Sequence, residues 1–273
     1  MRQTRQPKPP LSSRQRTIAD FAEATGVDPQ VLALGVDLYL KDFSAYGNEI
    51  YDDIATRLAH WISFQEQGWF QRRLDRAFLA MQNADAIVDL GFSVPYAYTN
   101  RLVREDLSKR FILVDRTRSA LDFYDAITRM NRWQRRCSLD RTILADIEAP
   151  LGKQRILAAV DSLKPTSLLI IASEVVEHLT DDSQLWEIVL ALESVPSVRR
   201  CECFITLPIG RRIPSHTIEF RTSDAALGYL RRQMVTCQSF LLQPALKAET
   251  NKFLSACLCA TGRVSRGDLL SVL

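Results

Sequence analysis

The chain has 273 residues, of which 47% are hydrophobic and 25% are charged, and its net charge is +3. This composition excludes a mostly disordered chain, because it supplies enough apolar side chains to bury a full core. No apolar run approaches the roughly 18 residues that a membrane span needs, and the N-terminus lacks the apolar segment of a signal peptide. The sequence therefore predicts a cytoplasmic protein with no membrane partner.

The positive charge is concentrated at the N-terminus. Residues 1–16 carry five basic side chains and no acidic one, which exceeds the net charge of +3 and leaves −2 for the rest of the chain. Binding to a long nucleic acid depends on many Lys and Arg side chains that neutralise phosphates. Nucleic acid is therefore disfavoured as the main partner, and residues 1–12 are predicted to form a disordered basic tail.

Residues 13–83 have the pattern of three or four helices and contain no credible strand. One helix start is marked by Asp28 followed by Pro29, since proline is favoured at the first helical position. This segment is also rich in aromatic residues. We predict that it forms a helical cap.

From residue 84, short apolar runs alternate with helical patterns, which is typical of a parallel sheet covered by helices on both faces. The runs lie at residues 86–91, 110–115, 141–146, 167–172 and 201–206. A helix is predicted over Ser223–Gln233, followed by apolar runs at 236–243 and 252–260. Only about eight residues separate these last two runs, which is too few for a helical crossover and predicts an antiparallel hairpin. The expected fold is an α/β sheet of seven strands over residues 84–262, with a C-terminal tail at 263–273.

Acidic residues end the first three apolar runs, where the carboxyl ends of parallel strands meet at one edge of a sheet. Asp89 and Gly91 lie at the end of the first run, Asp115 ends the second and Asp146 ends the third. A carboxylate after the second strand can accept charge-assisted hydrogen bonds from both ribose hydroxyls. Asp115 lies 24 residues after Gly91, near the spacing of a dinucleotide-binding fold. The alternative is that Asp115 only caps the next helix.

A second group of polar residues follows the fourth run, in the segment Ser-Glu-Val-Val-Glu-His-Leu that starts at Ser173. At about 100° per residue, Glu174, Glu177 and His178 share one face of a helix. His216 is on the loop after the fifth run, which opens onto the same edge. We expect these side chains to converge near a ligand.

The strand pattern with its terminal hairpin, the Asp89 and Gly91 motif, and Asp115 together resemble the class I S-adenosylmethionine-dependent methyltransferases. The resemblance implies a Rossmann-like fold and an S-adenosylmethionine cofactor. It assigns cofactor binding to the strand ends and places two tyrosines of the cap near the substrate. The implied cofactor-binding residues are Asp89, Gly91, Asp115, Asp146 and Ser173, and the substrate-binding residues are Tyr46 and Tyr51. Ser93 and Pro95 replace the second and third glycines of the family motif.

The Glu-x-x-Glu-His segment with a later His is similar to two branches of that family, the ubiquinone-biosynthesis O-methyltransferases and the small-RNA 3′-terminal 2′-O-methyltransferases. The resemblance implies that Glu174, Glu177, His178 and His216 hold a divalent metal. Two imidazoles with two carboxylates suit Mn²⁺, Fe²⁺ or Zn²⁺ better than Mg²⁺. In the metal-free alternative, His178 is a general base or a wall residue of the site. The predicted catalytic residues are His178, Glu177 and His216.

The expected function is methyl transfer from S-adenosylmethionine to an O or N nucleophile of a small molecule. Three alternatives stay open: 2′-O-methylation of a small-RNA 3′ end, NAD-dependent oxidoreduction, and a catalytically inactive scaffold of the same fold. A homo-oligomer is compatible with the sequence. Two Cys-x-Cys pairs on predicted strands are expected to be buried free thiols rather than a zinc site, because Cys behaves as a small apolar residue inside a sheet. They are Cys201, Cys203, Cys257 and Cys259.

Overall fold

The computed structural model describes residues 68–91, 109–116, 138–210, 216–243 and 254–264, together with isolated positions at 18, 19, 22, 23, 29, 30, 33, 118 and 121. Four helices and seven strands lie within the continuous ranges. In chain order they are α1 (Gly68–Gln82), β1 (Ala86–Leu90), β2 (Arg110–Asp115), β3 (Ser138–Leu144), α2 (Pro150–Leu163), β4 (Ser167–Ser173), α3 (Ser183–Glu193), β5 (Arg200–Gly210), α4 (Ser223–Gln233), β6 (Met234–Leu242) and β7 (Leu254–Val264).

The strands form one sheet in the order β3-β2-β1-β4-β5-β7-β6. Strands β1 to β5 are mutually parallel, whereas β7 is antiparallel to both of its neighbours, β5 and β6. The predicted Rossmann-like α/β fold with seven strands and a terminal antiparallel hairpin is confirmed. The antiparallel pair also argues against a dinucleotide fold that continues with parallel strands.

Helices cover both faces of the sheet, as the near-continuous apolar strands require. On one face, Ile156 of α2, Trp186 of α3 and Leu230 of α4 belong to a large buried cluster. On the other face, Phe78 and Met81 of α1 are buried in a smaller cluster. Because successive strand residues point to opposite faces, each strand contributes to both clusters.

Two strand boundaries differ from the sequence prediction. Strand β3 ends at Leu144, so Asp146 lies beyond the strand rather than at its last position. Strand β5 continues through Pro208 to Gly210, where a loop was predicted. Proline is tolerated there because β4 ends at Ser173, opposite Thr206, so this part of β5 pairs with β7 alone. Strand β7 also extends to Val264, past the predicted domain boundary at residue 262.

Of the predicted helical cap, residues 13–83, the structure describes α1 and isolated helical positions between residues 18 and 33. Tyr46 and Tyr51, the predicted substrate-binding residues, lie outside the described residues. None of the described helices combines the length and the apolar character that crossing a membrane requires.

Candidate active site

Strands β2, β1 and β4 lie side by side, so the residues at their carboxyl ends meet at one edge of the sheet. Asp115 is the last residue of β2, Gly91 directly follows β1, and Ser173 is the last residue of β4. This arrangement brings three of the predicted cofactor-binding positions together.

Gly91 occupies a position where a side chain would not fit. Its φ is +64°, in the left-handed region that favours glycine, and a Cβ atom there would lie 2.8 Å from Cγ2 of Val175. Its main-chain N–H donates to the carbonyl of Val114, at 2.8 Å. The turn after β1 is therefore packed closely against Val175 and bonded to the end of β2.

Asp89 is an acidic residue inside the sheet core. It is 1% exposed, and its Oδ2 atom has no hydrogen-bond partner among the described residues. Burial raises the pKa of Asp89 well above its usual range, and the carboxylate of Asp115 raises it further. A buried oxygen without a partner costs stability unless a donor from a ligand or from elsewhere in the chain reaches it.

We predict that Asp89→Asn makes the stability of the protein less sensitive to pH. Because the folded-state pKa of Asp89 is raised, its ionisation penalises folding as pH rises from about 4 towards that pKa. The variant removes this penalty. The difference in stability between the variant and the wild type should therefore favour the variant more at pH 8 than at pH 5. Urea unfolding midpoints at the two pH values measure the gain, and Asp146→Asn, at an exposed carboxylate, is the control. An Asp89→Asn effect equal at both pH values would contradict the prediction.

Asp115 is buried at the end of β2, as predicted, with 8% of its surface exposed. Its main-chain oxygen accepts a hydrogen bond from the N–H of Ala145, at 2.9 Å, which ties β2 to the segment after β3. Asp146, by contrast, is exposed, and its Oδ1 accepts from the N–H of Glu148 at 3.0 Å. The side chain of Asp146 therefore stabilises a local turn in this structure.

Ser173 and Thr206 join β4 and β5 at the same edge. Their hydroxyl oxygens are 3.0 Å apart, and Oγ1 of Thr206 also accepts from the N–H of Glu174, at 3.0 Å. Thr206 is completely buried. The hydroxyl of Ser173, a predicted cofactor contact, is thus already engaged within the sheet.

The chain after β4 is not the helix that the sequence periodicity predicted. Glu174 has φ of +56°, which breaks the helical path, and only Val176–His178 form a single 3-10 turn. The predicted shared helical face of Glu174, Glu177 and His178 is therefore absent from this segment. Three of the four predicted ligands nevertheless come together.

Glu177, His178 and His216 form a compact group. Each offers one ligand atom, and these atoms all lie within 4.8 Å of one another. The two imidazole rings are nearly perpendicular, with centroids 4.8 Å apart. The main-chain oxygen of Glu177 accepts from the N–H groups of Thr217 and Ile218, at 2.7 and 3.2 Å, so main-chain bonds fasten the loop that carries His216 to the 3-10 turn.

The carboxylate of Glu177 is buried within this group. It is 1% exposed, and its Oε2 atom has no hydrogen-bond partner in the described structure. Burial raises the pKa of Glu177 well above its usual range, the carboxylate of Glu174 raises it further, and Arg73 acts in the opposite direction. Such a site favours a cation, which would bind the carboxylate oxygen that has no partner and compensate the negative charge of the carboxylate.

Glu174 does not belong to the compact group. Its Oε1 atom lies 2.6 Å from Nη1 of Arg73 on α1, and the two side chains are 24% and 9% exposed. The predicted four-residue ligand set is therefore three residues in this structure, with the fourth held by a guanidinium. The left-handed backbone at Glu174 breaks the helical path on which Glu174, Glu177 and His178 were expected to share one face.

Arg73 and Thr217 were not identified from the sequence. Arg73 precedes Ala77 by four residues and Met81 by eight, so it lies on the buried face of α1. A charged residue on an apolar helix face was the signal that could have found it. Thr217 acts through its main chain and through a hydroxyl that donates to the carbonyls of Glu177 and Leu179, which residue type alone does not indicate.

The two Cys-x-Cys pairs lie on opposite faces of the sheet. Cys201 and Cys203 belong to the larger buried cluster, whereas Cys257 and Cys259 belong to the smaller one. All four are free. Burial raises the pKa values of Cys201 and Cys203, and a hydrogen bond with Cys259 together with burial raises that of Cys257. The prediction of buried free thiols is confirmed, and a zinc site shared by the two pairs is excluded by their separation across the sheet.

No protein-family model and no curated protein matches this chain. Among solved structures, the methyltransferase domain of bacterial CtHen1 is 17% identical over 71% of this chain and 98% of that chain, with a TM-score of 0.45. The N-terminal domain of EvdMO1, solved in the presence of SAH and D-fucose, is 11% identical over 71% of this chain and 82% of that chain, with a TM-score of 0.46. TehB from Haemophilus influenzae is 10% identical over 70% of this chain and 61% of that chain, with a TM-score of 0.41. The similarity is one of overall fold.

Proposed function

We propose that this protein transfers the methyl group of S-adenosylmethionine to an oxygen or nitrogen of a small-molecule acceptor. The observation that carries the proposal is the buried carboxylate of Asp115 at the end of β2, beside the backbone turn at Gly91, in a sheet of order β3-β2-β1-β4-β5-β7-β6. A ligand with ribose hydroxyls fits this pair of features.

Each residue at the edge has a distinct part in this proposal. Asp115 accepts hydrogen bonds from the two ribose hydroxyls, and Gly91 provides the left-handed turn that ends β1 next to β2. Asp89 has an oxygen without a partner that can accept a hydrogen bond from the ligand or from the loop after β1. The cofactor supplies an activated methyl group, so the protein mainly aligns the acceptor with it.

Glu177, His178 and His216 handle the acceptor hydroxyl or amine. A divalent cation fits the group, because Glu177 has a buried oxygen without a partner and the two imidazoles add nitrogen ligands. One carboxylate and two imidazoles suit Mn²⁺, Fe²⁺ or Zn²⁺. Such an ion would polarise the acceptor hydroxyl and favour loss of its proton. Without an ion, His178 is the preferred base.

A small-RNA 3′ end is the second candidate acceptor. The close approach of Glu177, His178 and His216 suits either acceptor, since the resemblance implies a metal at these residues in both the ubiquinone-biosynthesis and the RNA-modifying branches. The net charge of −2 outside residues 1–16 favours the small molecule. Salt-dependent binding separates the two: micromolar or tighter affinity for short RNA at near-physiological salt, kept after deletion of residues 1–12, would assign RNA as the acceptor.

Calorimetric titration with S-adenosylmethionine, and separately with NAD, tests the proposed function. We expect saturable binding of S-adenosylmethionine and no binding of NAD. Mass spectrometry of the purified protein should also find a copurifying adenosyl compound. Failure to bind any adenosyl ligand would favour the inactive scaffold, and binding of NAD alone would favour an oxidoreductase.

A further inference from the structure

Arg73 lies on the buried face of α1, an unusual place for a charged residue, and forms an ion pair with Glu174, which directly follows β4. The Arg73 side chain is 9% exposed, and a buried guanidinium requires an anion close by. The thiol of Cys257 also contacts Arg73, but its pKa is raised, so it stays neutral at physiological pH. The carboxylate of Glu174 therefore provides negative charge that this thiol cannot.

The same pair adjoins the group formed by Glu177, His178 and His216. Glu174 is three residues before Glu177, and the charges of Glu174 and Arg73 both reach the Glu177 carboxylate, with opposite signs. Neighbouring carboxylates repel each other when both are charged, and a cation beside them favours the charged forms. In this structure the guanidinium of Arg73 fills that role for Glu174.

The backbone at Glu174 is fixed, whereas its side chain has freedom to turn. The N–H of Glu174 is held by the main-chain oxygen of Thr206, at 3.2 Å, and by the hydroxyl of Thr206, at 3.0 Å. The Glu174 side chain is 24% exposed, while its Oε1 atom is buried against Arg73. With the main chain held in this way, movement of the carboxylate would come from rotation about its side-chain bonds.

We propose that Arg73 competes with a divalent cation for the carboxylate of Glu174. In the metal-free protein Arg73 holds Glu174 outside the ligand group, and metal binding transfers this carboxylate to the group of Glu177, His178 and His216. The inference rests on the metal-binding part of the proposed function. It makes Arg73 a positioning residue that sets metal affinity without touching the metal, because the ion must break the ion pair before it gains its fourth protein ligand.

Equilibrium titration of the metal-free full chain with Mn²⁺ tests the exchange, with calorimetry and the shift in unfolding temperature as readouts. Arg73→Met removes the competitor, so Mn²⁺ should bind at least about tenfold more tightly, because binding no longer breaks an ion pair. Arg73→Lys retains the positive charge and should stay near the wild-type affinity. Arg72→Met is the matched control, since Arg72 is on the same helix but bonds to the main-chain oxygen of Gln243 at the surface.

Glu174→Gln supplies a second arm that holds even if Arg73→Met does not fold. It removes the exchangeable ligand, so Mn²⁺ should bind about tenfold more weakly than to the wild type. Adding Arg73→Met to Glu174→Gln should then change the affinity much less than Arg73→Met does alone, since most of its effect passes through the interaction with Glu174.

The outcomes separate the exchange from the metal site itself. If the wild type binds Mn²⁺ through His178 while Glu174→Gln binds it equally well, the exchange is overturned and the metal site stands. Weaker binding by Arg73→Met would also overturn the exchange, because Arg73 would then support the ligand instead of withholding it. If the wild type does not bind Mn²⁺ at all, both the metal site and the exchange fail.

Discussion

Asp115→Ala is expected to weaken the binding of S-adenosylmethionine at least tenfold. A buried carboxylate that accepts two hydroxyl donors forms charge-assisted hydrogen bonds, each worth about 1.5–3 kcal/mol, and one tenfold step in affinity is about 1.4 kcal/mol. Calorimetry of the purified variant measures the change. Asp115→Asn keeps the shape but loses the charge, so it should fall between the wild type and Asp115→Ala.

Loss of binding in Asp115→Ala should not result from unfolding. The carboxylate of Asp115 raises the pKa of Asp89, so its removal relieves repulsion inside the sheet edge. The main-chain bond from Ala145 to Asp115 is also independent of the side chain. Circular dichroism and the urea midpoint provide the check, and Asp146→Ala tests a second carboxylate at the same edge. Unchanged affinity in Asp115→Ala would remove Asp115 from the site.

His178→Ala and His216→Ala are each expected to lower the affinity for Mn²⁺ by about a hundredfold, because each removes one of three converging ligands. Elemental analysis of the purified protein should find a transition metal in the wild type and much less in both variants. His60→Ala, at the third histidine of the chain, is the control.

The two histidine variants should keep the local fold, because main-chain hydrogen bonds from Thr217 and Ile218 to Glu177 hold the loop without the imidazoles. Absence of metal in the wild type, together with methyl transfer that is indifferent to a chelator, would contradict the metal centre. His178 would then stand as the base, and its replacement should abolish transfer while leaving cofactor binding intact.

The fold was largely predictable from sequence, because local patterns determine most of it. The buried strands β1, β2 and β4 were recognisable as apolar runs, and α4 lies where its sequence predicted, over Ser223–Gln233. Its start is explained by Thr222, whose side chain accepts from the N–H of Ala225. The extension of β5 was missed because it depends on pairing with β7, some 50 residues later, which no local pattern records.

The candidate site was predictable only in part, for a related physical reason. Acidic residues at strand ends indicated Asp115, since sheet geometry alone brings such ends together. The helical face expected for Glu174, Glu177 and His178 failed because the left-handed backbone at Glu174 is not encoded by a glycine. The pairing of Glu174 with Arg73 joins α1 to the end of β4, and such long-range contacts become visible only in the folded chain.

The position of β7 between β5 and β6 determines the order in which the sheet can assemble during synthesis. Strand β6 is synthesised before β7 but pairs only with β7 among the described strands, so it has no sheet partner until residues 254–264 have emerged. Until then the free edge of β5, which includes the buried Thr206, stays exposed to other nascent chains. Pairing of β7 is therefore the step that joins β6 to the sheet and covers the edge of β5.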